Sequence, residues 1–160
     1  MGILNVTPDS FSDGGRYVDL DAAVTQARRL VDEGASFVDV GGESTRPGAA
    51  PVSIDEELAR VVPVIEAITA LDGFGARISV DTRRAEVARA AVAAGATVIN
   101  DVSASLWQVA ADLGVGWVAM HMQGEPCSRQ DDPTYVDART EVYDFLTERA
   151  ATAHSAGVAE

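Results

Sequence analysis

Apolar and polar positions along the chain follow two periods in turn. Short apolar runs that end in a polar residue read as buried strands at 2–6 (Gly-Ile-Leu-Asn-Val), 37–41, 78–81, 98–101 and 117–120. Between them, apolar residues recur at helical spacing. Leu20, Ala23, Val24, Ala27, Leu30 and Val31 form one stripe, with Asp19 or Asp21 placed to cap its start and Gly34 its end. Ser53 and Glu56 make a capping-box signature for a helix reaching about Leu71, and Pro63 inside that span predicts a kink or a later start. An Ala-rich helix over 84–94 closes at Gly95, a short helix follows near Leu106–Leu113, and a last amphipathic helix covers 137–153.

Strands alternating with helices predict a parallel sheet. A weak internal echo, EGASFVDVGGES against AGATVINDVSAS, points to a repeated unit. Asn5, Asp39, Asp81, Asn100 with Asp101, and His121 all stand at or just past the C-terminal end of a predicted strand. In a (β/α)8 barrel that rim carries the chemistry, so the succession favours an α/β TIM-type barrel over a doubly wound sheet. Only the first five βα units are present, whereas a whole barrel takes eight strands and about 250 residues. The expectation is therefore that residues 1–160 are the N-terminal part of a single barrel domain, breaking off where a sixth strand should begin. The edges of the first and fifth strands would then be exposed.

Bulk properties narrow the chemistry. With 47% hydrophobic residues the chain can build a core. A net charge of −13 argues against nucleic acid, whose phosphates need a basic face. No apolar run approaches the roughly 18–20 residues of a membrane span, and the N-terminus lacks the pattern of a secretory leader. A single cysteine, Cys127, fits a reducing cytoplasm. Any anionic substrate must then be held by local devices.

Two long polar loops supply them. The first, after Asn5, runs Thr7, Pro8, Asp9, Ser10, Phe11, Ser12, Asp13, Gly14, Gly15, too polar to pack and too long for a tight turn. The second, Gly41-Gly42-Glu43-Ser44-Thr45-Arg46-Pro47-Gly48, offers backbone N–H groups, two hydroxyls and a guanidinium. Those parts suit a phosphate or pyrophosphate, although a solvated Arg in an ordinary loop reads equally well. Asp81 and Asn100 on neighbouring strands suit a flat heterocycle with an amino-pyrimidinone edge; alternatively, Asp81 caps the helix after Thr82. Asn5 offers an oxygen to Mg²⁺ or is satisfied by loop backbone. His121 lacks a second His at ligand spacing, and Cys127 lacks a His partner, which argues against a transition metal and a thiol nucleophile. Trp107 and Trp117 are most simply packing residues.

MGILNVTPDSFSDGG, GGESTRPG, SVDTRR, INDVS and MHMQGEP, in this order, closely resemble the dihydropteroate synthase family of bacterial folate biosynthesis. The resemblance runs over essentially the whole chain. The first two motifs are long and specific, while SVDT and IND are shared with pterin-binding methyltransferases. It implies condensation of 6-hydroxymethyl-7,8-dihydropterin pyrophosphate with p-aminobenzoate to give 7,8-dihydropteroate and pyrophosphate. It also implies roles. Asp81 and Asn100 would grip the pterin edge, Met120 would pack on the pterin ring, and Asn5 would reach Mg²⁺–pyrophosphate. Ser44, Thr45 and Arg46 would bind the pyrophosphate; Asp9 and Phe11, with Pro47, would close over the intermediate and shape the aminobenzoate pocket, where sulfonamides would compete. A soluble cytoplasmic enzyme, homodimeric at full length, is the corresponding expectation. The family's later Asp-Pro-Gly-Phe-Gly, Ser-Arg-Lys and Arg-Val-His segments do not occur in these 160 residues, so this chain alone is expected to be weak or inactive. The alternatives are a non-catalytic pterin-binding homologue and a pterin-dependent methyltransferase. The second fits poorly, because methyl transfer has no pyrophosphate to hold.

Overall fold

The computed structural model describes residues 1–7, 19–44, 51–123 and 134–158. Among the described residues, five strands alternate with five helices: β1 (Gly2–Asn5), α1 (Leu20–Asp32), β2 (Phe37–Gly41), α2 (Ile54–Thr69), β3 (Arg77–Asp81), α3 (Ala85–Ala94), β4 (Val98–Asp101), α4 (Trp107–Leu113), β5 (Gly116–Ala119) and α5 (Ala138–Ser155). The strands form one parallel sheet in the order β1-β2-β3-β4-β5. A doubly wound sheet reverses its strand order at a switch point. This sheet never reverses, so it is the wall of a barrel.

Register decides which face each side chain takes. Leu4, Val38, Val40, Ile78, Val80 and Ile99 lie on one face and are buried against Ala23, Ala27, Val61, Ile65, Ile68, Val87, Ala91 and Ala110 of the helices. Truncating a fully buried member such as Ile65 or Ile99 to Ala is worth about 2–5 kcal/mol of stability. The opposite, inner face carries Ile3, Asn5, Asp39, Ser79, Asp81, Val98, Asn100 and Val118. Ile3 is 66% and Val118 40% exposed there. At its N-terminal end the Arg77 guanidinium lies 5.3 Å over the Phe37 ring.

Local signals mostly act as expected. Asp19, not Asp21, caps α1 by accepting from the Ala22 N–H at 3.0 Å. Ser53 caps α2 through the Glu56 N–H, but the Glu56 carboxylate turns outward to Arg60, so only half of the capping box forms. Pro63 sits within a continuous α2, and the later start does not occur. Three expectations are corrected. Asp39 lies at the middle of β2, because the strand continues through Val40 and Gly41. Asp81 caps no helix; the N-cap of α3 is Arg84, without a side-chain cap. The last helix forms, but it buries only Ala153 fully, so its apolar positions do not make a packed stripe.

Candidate functional site

Adjacent strand ends bring Asn5, Gly41, Asp81, Asn100 and Val118 into one row across the inner face. One layer below lie Ile3, Asp39, Ser79 and Val98. Gly41 is the gap in the upper row. A Cβ there would lie 3.6 Å from Asn5 Oδ1 and 3.6 Å from Asp81 Oδ2, so its absence keeps an opening between the two polar groups.

Asn100 reaches across β3 and donates from Nδ2 to Asp39 Oδ2 at 2.8 Å. Because an ionised carboxylate only accepts, this contact fixes which end of the amide faces Asp39. Asn100 Oδ1 and its second N–H are then oriented before anything binds. Asp39 Oδ1 and the neighbouring Ser79 Oγ are buried without a hydrogen-bond partner. Buried polar atoms of this kind are uncommon and invite a ligand.

Asp81 is the electrostatic centre of the row. Burial first, then the negative charges of Asp39, Glu57, Asp101 and Glu43, push its carboxyl from 3.8 up to about 7. Such a carboxyl gains most from N–H donors, which favour its ionised form. Strongly shifted groups in a cleft are functional candidates.

Asp101 shares the strand end but turns to the helix side. It is fully buried and accepts from the N–H groups of Ser103, Ser105 and Leu106 and from Trp117 Nε1. Its work is to fold the β4–α4 turn. His121, past β5, packs edge-on against Phe145 at 5.0 Å between ring centroids, and no cluster of three or more His, Cys, Asp and Glu side chains among the described residues is placed to hold a metal ion.

Behind Asp81 lies a cluster of ion pairs that sequence reasoning missed. Thr82 Oγ1 donates to Glu57 Oε1 at 2.7 Å, and Glu57 pairs through Oε2 with Arg84 Nη1. Arg84 Nη2 reaches Glu43 Oε1 at 3.0 Å and the Val52 carbonyl at 2.7 Å. Arg83 Nε pairs with Glu43 Oε2 at 3.2 Å, and Arg60 Nη1 donates to the Gly42 carbonyl at 2.8 Å. A small cavity lined by Glu43, Glu57, Asp81, Thr82, Arg83 and Val102 joins the cluster to the row. Glu57 sits three residues into a helix rich in first-turn acids, so nothing local distinguishes it from a solvated helix-start carboxylate.

A polar row at the C-terminal strand ends is where a barrel holds its ligand. The profile of the pterin binding enzyme family matches residues 1–160. The chain belongs to that family. Among its relatives, the dihydropteroate synthase of Escherichia coli K12 is 48% identical over 164 residues, covering 100% of this chain and 57% of that protein. The structure of Xanthomonas albilineans dihydropteroate synthase with 4-aminobenzoic acid superposes with a TM-score of 0.86 at 52% identity, over 99% of this chain and 57% of that one. The Yersinia pestis dihydropteroate synthase in complex with a sulfonamide drug superposes with a TM-score of 0.86 at 46% identity, over 99% and 58%. This chain thus spans a little over half the length of the relatives it matches, and its sheet is part of their barrel.

Of the residues singled out from sequence, Asn5, Asp81 and Asn100 come together in the row. Met120 is half-buried one residue beyond β5, its N–H donating to the Asp101 carbonyl at 3.2 Å. Ser44 is half-buried at the start of the second loop. Asp9, Phe11, Thr45, Arg46 and Pro47 lie outside the described residues, as does Cys127.

Proposed function

We propose that this chain carries the pterin-binding part of a dihydropteroate synthase, the enzyme that joins 6-hydroxymethyl-7,8-dihydropterin pyrophosphate to p-aminobenzoate. The observation that carries the reading is the row itself: an Asp81 carboxyl in need of N–H donors beside an Asn100 amide locked by Asp39. A 2-amino-pyrimidin-4-one edge presents adjacent N–H donors to the first and a mixed donor–acceptor edge to the second. The relatives' names and the aminobenzoate bound by the X. albilineans enzyme support the second substrate.

In the reaction the C–O bond between the pterin methylene and the pyrophosphate breaks, and a C–N bond to the aniline nitrogen forms. Pyrophosphate leaves with the bonding pair, and the new secondary amine gives up one proton. Asp81 and Asn100 orient the ring and with it the reacting methylene. On this reading Ser44 and Thr45 donate hydroxyl hydrogen bonds to the leaving group, and Arg46 supplies a bidentate cation. Asp9, Phe11 and Pro47 exclude water from the electron-poor methylene and shape the aminobenzoate site. Asn5 is exposed on the inner face, and its one amide oxygen fits Mg²⁺, which takes few protein ligands and otherwise water and phosphate oxygens. When bound, that ion would neutralise charge on the leaving group.

The test is aminobenzoate-dependent pyrophosphate release from the pterin pyrophosphate with Mg²⁺. It is run on this chain, on a chain extended through the natural reading frame, and on each with Asp81→Ala. Release by the extended chain that Asp81→Ala abolishes is the expected result. A folded extended chain that binds pterin but releases nothing would leave a non-catalytic pterin-binding homologue.

A further inference from the structure

Asp81 ends the central strand β3, and its partner on the β2 side is Gly41, which has no side chain to brace it. The direction of a Cα–Cβ bond is set by the two peptide planes that flank it. The plane before Asp81 lies within the β2–β3–β4 ladder, and the plane after it is the Asp81–Thr82 peptide. Thr82 is 4% exposed and is tied to three elements at once. Its N–H donates to the Asn100 carbonyl on β4 at 3.1 Å. Its hydroxyl donates to Glu57 Oε1 on α2 at 2.7 Å and accepts from the Arg84 N–H, at the start of α3, at 3.2 Å. The one hydroxyl hydrogen is thereby committed to Glu57, so Thr82 leaves the Asp81 carboxyl to a ligand.

We propose that Thr82 is a positioning residue: its buried hydroxyl fixes the peptide between Asp81 and Thr82, and so sets the aim of the Asp81 carboxylate and its separation from Asn100. The inference rests on the reading of Asp81 and Asn100 as the pair that grips the pterin edge. Two N–H donors in one plane meet both carboxylate oxygens only over a narrow range of angles. In a positioned site an error on the order of 1 Å can cost about a hundredfold. Thr82 suits the task because its β-branched side chain is stiff at χ1, so anchoring the hydroxyl anchors the backbone. Glu57, the acceptor, is itself 1% exposed, which keeps water from taking over the bond. The same residue joins the two ligand-facing strands, since the rung from its N–H ends on Asn100.

The experiment measures, by fluorescence titration of the 160-residue chain, the affinity for two probes: 6-hydroxymethyl-7,8-dihydropterin and its 2-oxo analogue, in which an acceptor replaces the 2-amino donor. Variants are Thr82→Val, which keeps the shape without the hydroxyl, Thr82→Ala, Thr82→Ser, which keeps the hydroxyl, and Asp81→Ala as the comparator. Melting curves accompany each. The expected result is a loss of about tenfold for the pterin in Thr82→Val and Thr82→Ala, with the 2-oxo probe within about twofold and the preference restored in Thr82→Ser. Equal losses for both probes, or failure of both hydroxyl-free variants to fold, would reduce Thr82 to a fold-stabilising residue. A Thr82→Ser variant that does not recover the preference would assign the effect to the methyl group; each of these overturns the proposal. Loss of preference in Asp81→Ala with none in the Thr82 variants would sink the positioning role while leaving the pterin grip standing. An unaltered chain that binds neither probe, or both alike, would overturn the pterin grip itself, and the role of Thr82 with it.

Discussion

Asn100 and Asp39 are joined across an intervening strand: the amide on β4 donates to the carboxylate on β2 at 2.8 Å, passing over β3. The contact ties the upper row of the inner face to the layer beneath it. It also holds a neutral ligand-facing group by a charged one, and hydrogen bonds to charged groups are worth about 1.5–3 kcal/mol.

Asp39→Ala should therefore weaken pterin binding by roughly ten- to a hundredfold, although Asp39 sits below the row. Asn100 would keep its place on β4 but lose its fixed amide orientation. Fluorescence titration of the chain with a pterin checks this, and an affinity within twofold of the unaltered chain would show that Asn100 needs no anchor.

Binding should depend on pH through Asp81. Its carboxyl titrates near 7, and a pterin edge that donates N–H groups selects the ionised form. Affinity should fall as pH drops through 7, approaching tenfold per unit below it, and Asp81→Asn should flatten the profile at a lower affinity. The sign for stability is opposite. The folded pKa lies above the unfolded 3.8, so between about pH 4 and 7 the folded chain holds a proton that the unfolded chain does not. Acidification across that window relieves the cost of the buried charge. Urea midpoints should show Asp81→Asn more stable than the unaltered chain at pH 7, with the gap closing toward pH 4.

Two adjacent glycines should behave differently. A Cβ on Gly41 would meet only ordinary contacts, the nearest at 3.5 Å, so Gly41→Ala should fold normally while narrowing the opening between Asn5 and Asp81. A Cβ on Gly42 would lie 2.8 Å from Val61 Cγ1 and 3.3 Å from the Glu57 carbonyl, so Gly42→Ala should cost about 1–3 kcal/mol. Melting curves beside pterin titrations separate the outcomes: loss of affinity without loss of stability at 41, the reverse emphasis at 42.

How much of this was legible in the sequence depends on whether the signal was local. Strand ends, caps and helix stripes are local, and Asn5, Asp81 and Asn100 could be placed on one rim from periodicity alone. The barrel wall followed from repetition. The Asn100–Asp39 pairing spans 61 residues and the Arg84–Glu43 pairing 41, so no window of sequence holds both partners. Asp39 is visible as a polar residue within the 37–41 strand, but reading it as a strand-end residue sets it one layer too high, because Val40 and Gly41 still pair with β3 beyond it. Glu57 gave no sign at all, being one of three acids in the first turn of α2.

Glu57 is the residue whose loss should be felt most widely. Its carboxylate is 1% exposed and satisfied by Thr82 on one oxygen and Arg84 on the other. Removing one member of a buried pair leaves the other charge uncompensated, at a cost of about 3–5 kcal/mol. Glu57→Ala should therefore destabilise by that order, whereas Glu57→Gln can still accept from Arg84 with its oxygen and, with the Thr82 bond reversed, donate from its amide nitrogen to Thr82 Oγ1, and should cost less. Glu57 also faces Asp81, and its negative charge contributes to holding that carboxyl's pKa up. Glu57→Gln should then shift the pH profile of pterin binding to lower pH. Chemical unfolding and binding profiles on the same protein sample measure both effects. A Gln variant with an unmoved profile would show that Glu57 supports the fold without tuning the site.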